Sequence, residues 1–147
     1  MAEQTSHKEE VARRLVRAFE TASVEEARRV CDPDVGLATL LDQIGRPPLH
    51  GHDGLRQWFA RLGDLWGYVK LERWSYEEIG EWGVVTGASR VRGKASPDEF
   101  DLPWTAIARL GPNGLVNFLG IYLTREQALE AIAVLDAADP VPADPSL

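Results

Sequence analysis

Two of the three histidines stand one residue apart beside an aspartate, in the stretch Pro47-Pro48-Leu49-His50-Gly51-His52-Asp53-Gly54-Leu55-Arg56. A His-x-His pair chelates metal when both imidazoles leave the same face of a strand. Here a glycine and the start of a helix separate their directions, and the sequence offers no third ligand. Neither a metal nor another cofactor is therefore expected. Proton transfer is the chemistry left to such groups. His50 has the intrinsic pKa to serve as acid or base near neutral pH. Asp42, at the end of an apolar run, is a second candidate base, and Arg90 has the charge to hold a carboxylate or an enolate oxygen. Cys31 lies between Arg28-Arg29 and the acidic Asp32-Pro33-Asp34. It reads as a buried thiol at a helix end rather than a nucleophile.

These groups need elements to position them. Ser6-His7-Lys8-Glu9 is a capping box, and Val11, Leu15, Ala18, Phe19 and Ala22 follow at helical spacing, which predicts a helix over about residues 7–22. Ser23-Val24-Glu25-Glu26 is a second box, opening a short helix that Asp32-Pro33 ends. Residues 35–41 read as an apolar strand. A further helix is expected over about residues 53–65, with Leu55, Phe59, Leu62 and Trp66 on one stripe and Trp58 beside it. After Gly67 the apolar pattern becomes alternating, giving strands over residues 68–78, 83–94, 100–110 and 115–123, joined by hairpin-length turns. Thr124-Arg125-Glu126-Gln127 caps a last helix through Leu135, and residues 136–147 read as a flexible tail. The expected fold class is α+β, a single domain over residues 1–135. One strongly curved, mostly antiparallel sheet wraps around the N-terminal helices, because each helix has one apolar stripe to bury, and a C-terminal helix closes the chain.

Composition narrows the partners. A length of 147 residues and a hydrophobic share of 44%, with five Trp, four Phe and three Tyr, suit one globular core. The net charge of −7, with a pI near 5.0, gives no concentrated basic face, so a nucleic-acid partner is not expected. The N-terminal residues are charged, without the apolar core of a signal peptide, and no apolar run is long enough to span a bilayer, so no membrane partner is expected. A single cysteine cannot form an intramolecular disulfide and suits a reducing, cytoplasmic setting.

Three stretches carry a family resemblance: Asp32-Pro33-Asp34-Val35, Gly51-His52-Asp53-Gly54-Leu55-Arg56, and Asn113-Gly114-Leu115-Val116 through Thr124-Arg125-Glu126-Gln127-Ala128-Leu129-Glu130-Ala131. With the element order, they resemble the NTF2-like superfamily, and within it the SnoaL-like proteins, over roughly residues 8–134. The resemblance implies an NTF2-like cone enclosing a cavity. It places Gly51 at the turn into the third helix, His52 and Asp53 at its cap and first turn, and His50 at the cavity mouth. Family members include a ketosteroid isomerase that uses a tyrosine, an aspartate base and a second acid. At those positions this chain has Leu15, Ala38 and Ala106, and Phe59 replaces a supporting tyrosine. The limonene epoxide hydrolase branch uses an Arg-x-Asp pair and a further aspartate. Here Arg90 is kept, but Arg92 and Ile121 stand at the two acids. Neither activity is expected.

What the resemblance leaves is an apolar pocket. With Arg90 inward, alternation brings Thr86 and Ala88 with it, Trp104 and Ala106 line the next strand, and Asn117, Leu119 and Ile121 the last. Leu15, Phe19, Ala38, Trp58 and Phe59 complete the lining. Asp101 and Arg109 fall on the opposite parity from Trp104 and read as an outer-face or rim pair. The expected function is binding of a small hydrophobic metabolite, with cofactor-free cyclisation or isomerisation using Asp42, His50 and Arg90. The alternative is a non-catalytic ligand-binding or dimerisation module. In either case the resemblance implies a homodimer paired through the convex sheet face.

Overall fold

The structure is a computed structural model and describes residues 6–38, 49–93 and 98–138. The elements run α1 (His7–Glu20), α2 (Val24–Val30), β1 (Cys31–Ala38), α3 (Gly51–Leu65), β2 (Trp66–Ile79), β3 (Trp82–Gly93), β4 (Glu99–Leu110), β5 (Val116–Tyr122) and α4 (Arg125–Ala138).

Local chemistry sets the helix starts. The Ser6 hydroxyl accepts from the Glu9 N–H at 3.1 Å and donates to Glu78 Oε2 at 2.7 Å, so one side chain both caps α1 and ties it to β2. Ser23 caps α2 by accepting from Glu26 N–H, and Thr124 caps α4 by accepting from Gln127 N–H. Gly51 turns the chain into α3 at φ +69°, and a Cβ there would lie 2.7 Å from the Pro33 carbonyl oxygen. Both the conformation and the space require glycine.

The sheet order is β1-β5-β4-β3-β2. The last four strands pair antiparallel in sequence, and β1 lies parallel to β5. Register shifts occur between Leu71 and Arg73, between Arg109 and Leu110, and between Cys31 and Gly36. Such shifts add bend and twist to a sheet. Strand β1 starts at Cys31, four residues before the expected strand, and contains Pro33. The proline is tolerated because it lies in the register break of β1 between Cys31 and Gly36, where the ladder with β5 needs no N–H from it.

The two sheet faces bury different helices. On the inner face, Val11, Leu15 and Ala18 of α1, Ala27 and Val30 of α2, and Leu55 and Trp58 of α3 pack with Val35, Leu37, Val116 and Leu119. On the outer face, Ala128 and Ile132 of α4 pack with Trp82, Val84 and Ile107. Helix α4 thus lies on the face opposite the other three helices. It also continues past the expected end at residue 135, since Asp136 belongs to it and accepts from the Trp82 indole N–H at 3.0 Å. Trp82 is itself the first residue of β3 and not part of the preceding turn.

Candidate functional site

The register of β3 and β4 decides what each face carries. Gly83, Val85, Gly87, Ser89 and Val91 pair with Ala108, Ala106, Trp104, Leu102 and Phe100. Ala108 belongs to the inner core, so alternation puts this whole set on the inner face. The intervening pairs, Val84 with Ile107, Thr86 with Thr105, Ala88 with Pro103 and Arg90 with Asp101, belong to the outer face.

Trp104 is the largest inner-face residue of β4 and is half-buried. Its indole N–H donates to the Ser89 hydroxyl at 2.8 Å, and Ser89 is itself buried. Gly87 lies between Trp104 and Trp74, with no room for a side chain: a Cβ there would be 2.8 Å from Trp104 Cζ2, 3.0 Å from Trp74 Cβ and 2.6 Å from the Arg73 carbonyl oxygen. Trp74 pairs with Gly87 on the other side, and the Arg13 guanidinium of α1 lies 5.2 Å from its ring centroid. From the helices, Phe19 stacks on Phe59 at 4.7 Å between centroids and meets Trp58 edge-on at 5.3 Å. Phe19 and Phe59 are half-buried, whereas Leu15 and Trp58 are buried core. Ala106 pairs with Ile121 and Ala108 with Leu119, completing an apolar inner wall.

Six of the expected lining residues therefore share the inner layer with Trp104: Leu15, Phe19, Phe59, Ala106, Leu119 and Ile121. Trp58 joins them as core. Five others do not belong to it, the first being Thr86, which pairs with Thr105 on the outer face. Ala88 and Arg90 are on the outer face, where the Arg90 guanidinium lies 3.4 Å from Asp101 and 3.7 Å from Glu99. The expectation that Arg90 faces inward beside Trp104 is overturned by one residue of register, which flips every side chain to the other face. Ala38 pairs with Gly120, while Leu37 and Leu119 take the inner positions. Asn117 sits at the register break of β5 and accepts from Arg109 Nε at 3.0 Å. Arg109 in turn lies 5.0 Å from the Trp82 ring centroid. Asp101 and Arg109 are outer-face residues as expected, but Asp101 lies against Arg90, and Arg109 donates to Asn117.

The groups with acid–base chemistry do not converge on Trp104. Asp42 lies outside the described residues. His50 is exposed and bridges Gly36 at the edge of β1, its carbonyl accepting from Gly54 N–H at 3.0 Å. His52 Nε2 is 3.0 Å from the Cys31 carbonyl oxygen, and so pins α3 to the start of β1. Asp53 is in the first turn of α3, with its carboxylate engaged by Arg56. Among the described residues, no three His, Cys, Asp or Glu side chains gather as a metal site would require.

Two inner-face residues that the sequence reading did not select have altered acidity. Tyr76 is held protonated well beyond its ordinary range, first by burial and then by its bond to Glu78, whose Oε2 accepts from the phenol at 2.9 Å. Glu78 is held below the usual carboxylate range by bonds from Ser6 and Tyr76 and by the Lys8 charge. Tyr76 is thus a donor and not a base. Burial pushes the Cys31 thiol up to about 12, which leaves it unreactive as a nucleophile at neutral pH. Ser89, Gly87 and Trp74 were also missed. Counting pairs back from Trp104 across the hairpin would have reached Gly87, had the length of the β3–β4 connection been known.

An open, bent five-stranded sheet with α1–α3 on one face and α4 on the other is the NTF2-like α+β cone. The profile of the SnoaL-like domain matches residues 12–117, and the chain belongs to that family. No curated protein matches the sequence. Among solved structures, an NTF2-like protein of unknown function from Burkholderia pseudomallei superposes with a TM-score of 0.72 at 19% identity, covering 86% of this chain and 97% of that one. TerC co-crystallised with polyporic acid gives 0.70 at 18% identity, covering 87% and 99%. A SnoaL-like polyketide cyclase candidate from Shewanella denitrificans gives 0.65 at 10% identity, covering 88% and 99%. At these identities the likeness establishes the fold.

Proposed function

We propose that the protein binds a small hydrophobic molecule on the inner face of the sheet, between Trp74 and Trp104 below and Phe19 and Phe59 above. The observation that carries this reading is the half-burial of those four aromatic residues on one face of the sheet, with Phe19 and Phe59 packed against the apolar inner core. Large aromatic side chains with a few fixed polar atoms, here the Trp104–Ser89 pair, are the usual lining of a small-molecule site. TerC, of the same fold, was crystallised with the organic molecule polyporic acid, which supports the same use of this scaffold. Binding is preferred over turnover because Arg90 lies on the outer face and His50 is exposed at the β1 edge, so these candidates for proton transfer and charge stabilisation are apart.

The test is native mass spectrometry to capture a ligand, followed by affinity measurements on Trp104→Ala. Loss of that wall should weaken a hydrophobic ligand by about 1–3 kcal/mol. An unchanged affinity would remove the inner face as the site, and conversion of the captured molecule by wild type would restore the cyclase or isomerase reading. The expected homodimer belongs to this proposal too. Thr86, Ala88 and Pro103 present small side chains on the outer face, where a second sheet could approach closely. Sedimentation that shows only monomer at tens of micromolar would exclude that pairing.

A further inference from the structure

The binding face contains a locking arrangement that specifies more than hydrophobicity. The indole Nε1 and Cζ2 of Trp104 are on one edge of the ring, each bonded to the same ring carbon. Nε1 is held at 2.8 Å by Ser89, and Cζ2 rests where a Cβ of residue 87 would stand, 2.8 Å away. One edge of the ring is therefore seated along β3, in a notch that only glycine leaves open. Rotating the indole by half a turn about its Cβ–Cγ bond would break the Ser89 bond, and a side chain at position 87 would push the ring off. Ser89 is buried, so its hydroxyl is a fixed acceptor and not a solvent-exposed rotor. The ring itself is half-buried, and among the described residues no aromatic ring or cation is seated on its face.

We infer that Gly87 and Ser89 are positioning residues that hold Trp104 as a fixed stacking surface, and that the molecule bound against it is planar and aromatic. The inference rests on the proposed inner-face binding site. Its chemical basis is that a ring of fixed orientation rewards a second ring by stacking, in addition to the area buried, whereas an aliphatic cage gains from area alone. A mobile indole would adapt to either shape and discriminate less, because its ordering would oppose binding.

The experiment uses two probes of equal charge, naphthoate (planar) and adamantane carboxylate (a saturated cage), with wild type and Ser89→Ala. Heteronuclear NMR of the ligand-free proteins follows the Trp104 indole N–H, assigned by its loss in Trp104→Phe. Wild type should show an exchange-protected indole N–H, and Ser89→Ala should expose it. Wild type should favour naphthoate. Ser89→Ala should weaken naphthoate by about 3–10-fold, the range a lost stacking preference implies, with less than about 2-fold change for the cage probe. An indole N–H that exchanges as fast in wild type as in Ser89→Ala overturns the lock. A protected indole with equal loss for both probes overturns the planar-ligand inference while leaving the binding site standing. If wild type binds neither probe, the binding site itself is lost, and the ligand inference with it.

Discussion

Trp82 and Trp104 belong to adjacent strands and each gives its indole N–H to one side-chain oxygen, yet they face opposite sides of the sheet. Trp82 is sealed. Helix α4 covers it, Asp136 takes its N–H at 3.0 Å, Phe118 meets its ring edge-on at 5.7 Å, and the Arg109 guanidinium lies over it. It is 1% exposed. Trp104 has one such partner, Ser89, and remains half-buried. The difference separates two uses of the same side chain. On the outer face a tryptophan locks a helix to the sheet, and on the inner face the same residue type is positioned but not covered.

The largest expected effect tests the sealed side. Trp82→Ala should cost about 3–5 kcal/mol of stability, as truncations of buried aromatics do, and should also leave the Asp136 carboxylate without its indole partner. Trp104→Ala should cost clearly less, about 1–2 kcal/mol by the smaller area it removes from water. Urea unfolding monitored by far-UV circular dichroism provides both values. Equal losses would mean that Trp104 is ordinary core and that the contrast is wrong.

The sequence made one half of this contrast visible and concealed the other. The helix starts were legible because a cap is a local matter of a hydroxyl and an N–H three residues on, as at Ser6, Ser23 and Thr124. Strand existence after Gly67 was equally local. Face assignment was not, because it depends on how many residues the β3–β4 connection leaves unpaired. Counting that connection one residue differently places Arg90 beside Trp104 rather than beside Asp101. The side chosen by α4 was hidden for another reason: Trp82, Val84, Ile107 and Phe118 make the outer face as apolar as the inner one, so periodicity alone cannot tell which face the last helix covers. Pro33 marked the end of the second helix, and the missing ladder contacts of β1 allowed it into the strand that follows. The partner of His52 was hidden because it is tertiary: its ring meets a carbonyl twenty-one residues away, at Cys31.

A smaller effect tests how the inner layer is anchored. Asp32 is held below the ordinary carboxylate range, chiefly by the Asp34 backbone N–H at 2.8 Å, then by Asn113 Nδ2 at 3.0 Å, with a minor contribution from the His52 charge. A carboxylate with a depressed folded pKa adds stability above its unfolded pKa of about 3.9, and that contribution is lost as the pH falls through the folded value. The Asp32 contribution is therefore present at neutral pH and disappears in acid below about pH 4. Asn113→Ala should raise the Asp32 pKa toward the ordinary value and flatten the acid limb of the stability profile, measured by carboxyl-resolved NMR titration. An unchanged Asp32 titration would mean that the bridge from β1 to the turn before β5 does not form in solution.

The smallest expected effect is the sharpest test of which face is which. Arg90 lies on the outer face with Asp101 and Glu99, and its side chain is about half exposed, so the ion pairs there contribute little: about 0–1 kcal/mol for exposed pairs. Arg90→Met keeps most of the side-chain length and removes the cation. On the geometry described, its affinity for naphthoate should stay within about 2-fold of wild type, because the change lies on the far side of the sheet from Trp104 and exposed outer-face substitutions rarely exceed about 0.5 kcal/mol. The inward reading predicts the opposite. An arginine beside the ligand would pair with the naphthoate carboxylate, and its loss would cost on the order of 10-fold or more, since charged hydrogen bonds are worth about 1.5–3 kcal/mol. Titrating both proteins at two salt concentrations separates a direct pair from long-range charge. A large loss that persists at high salt would place Arg90 in the site and shift β3 by one residue against β4, moving every β3 side chain to the other face while Trp104 stays where it is.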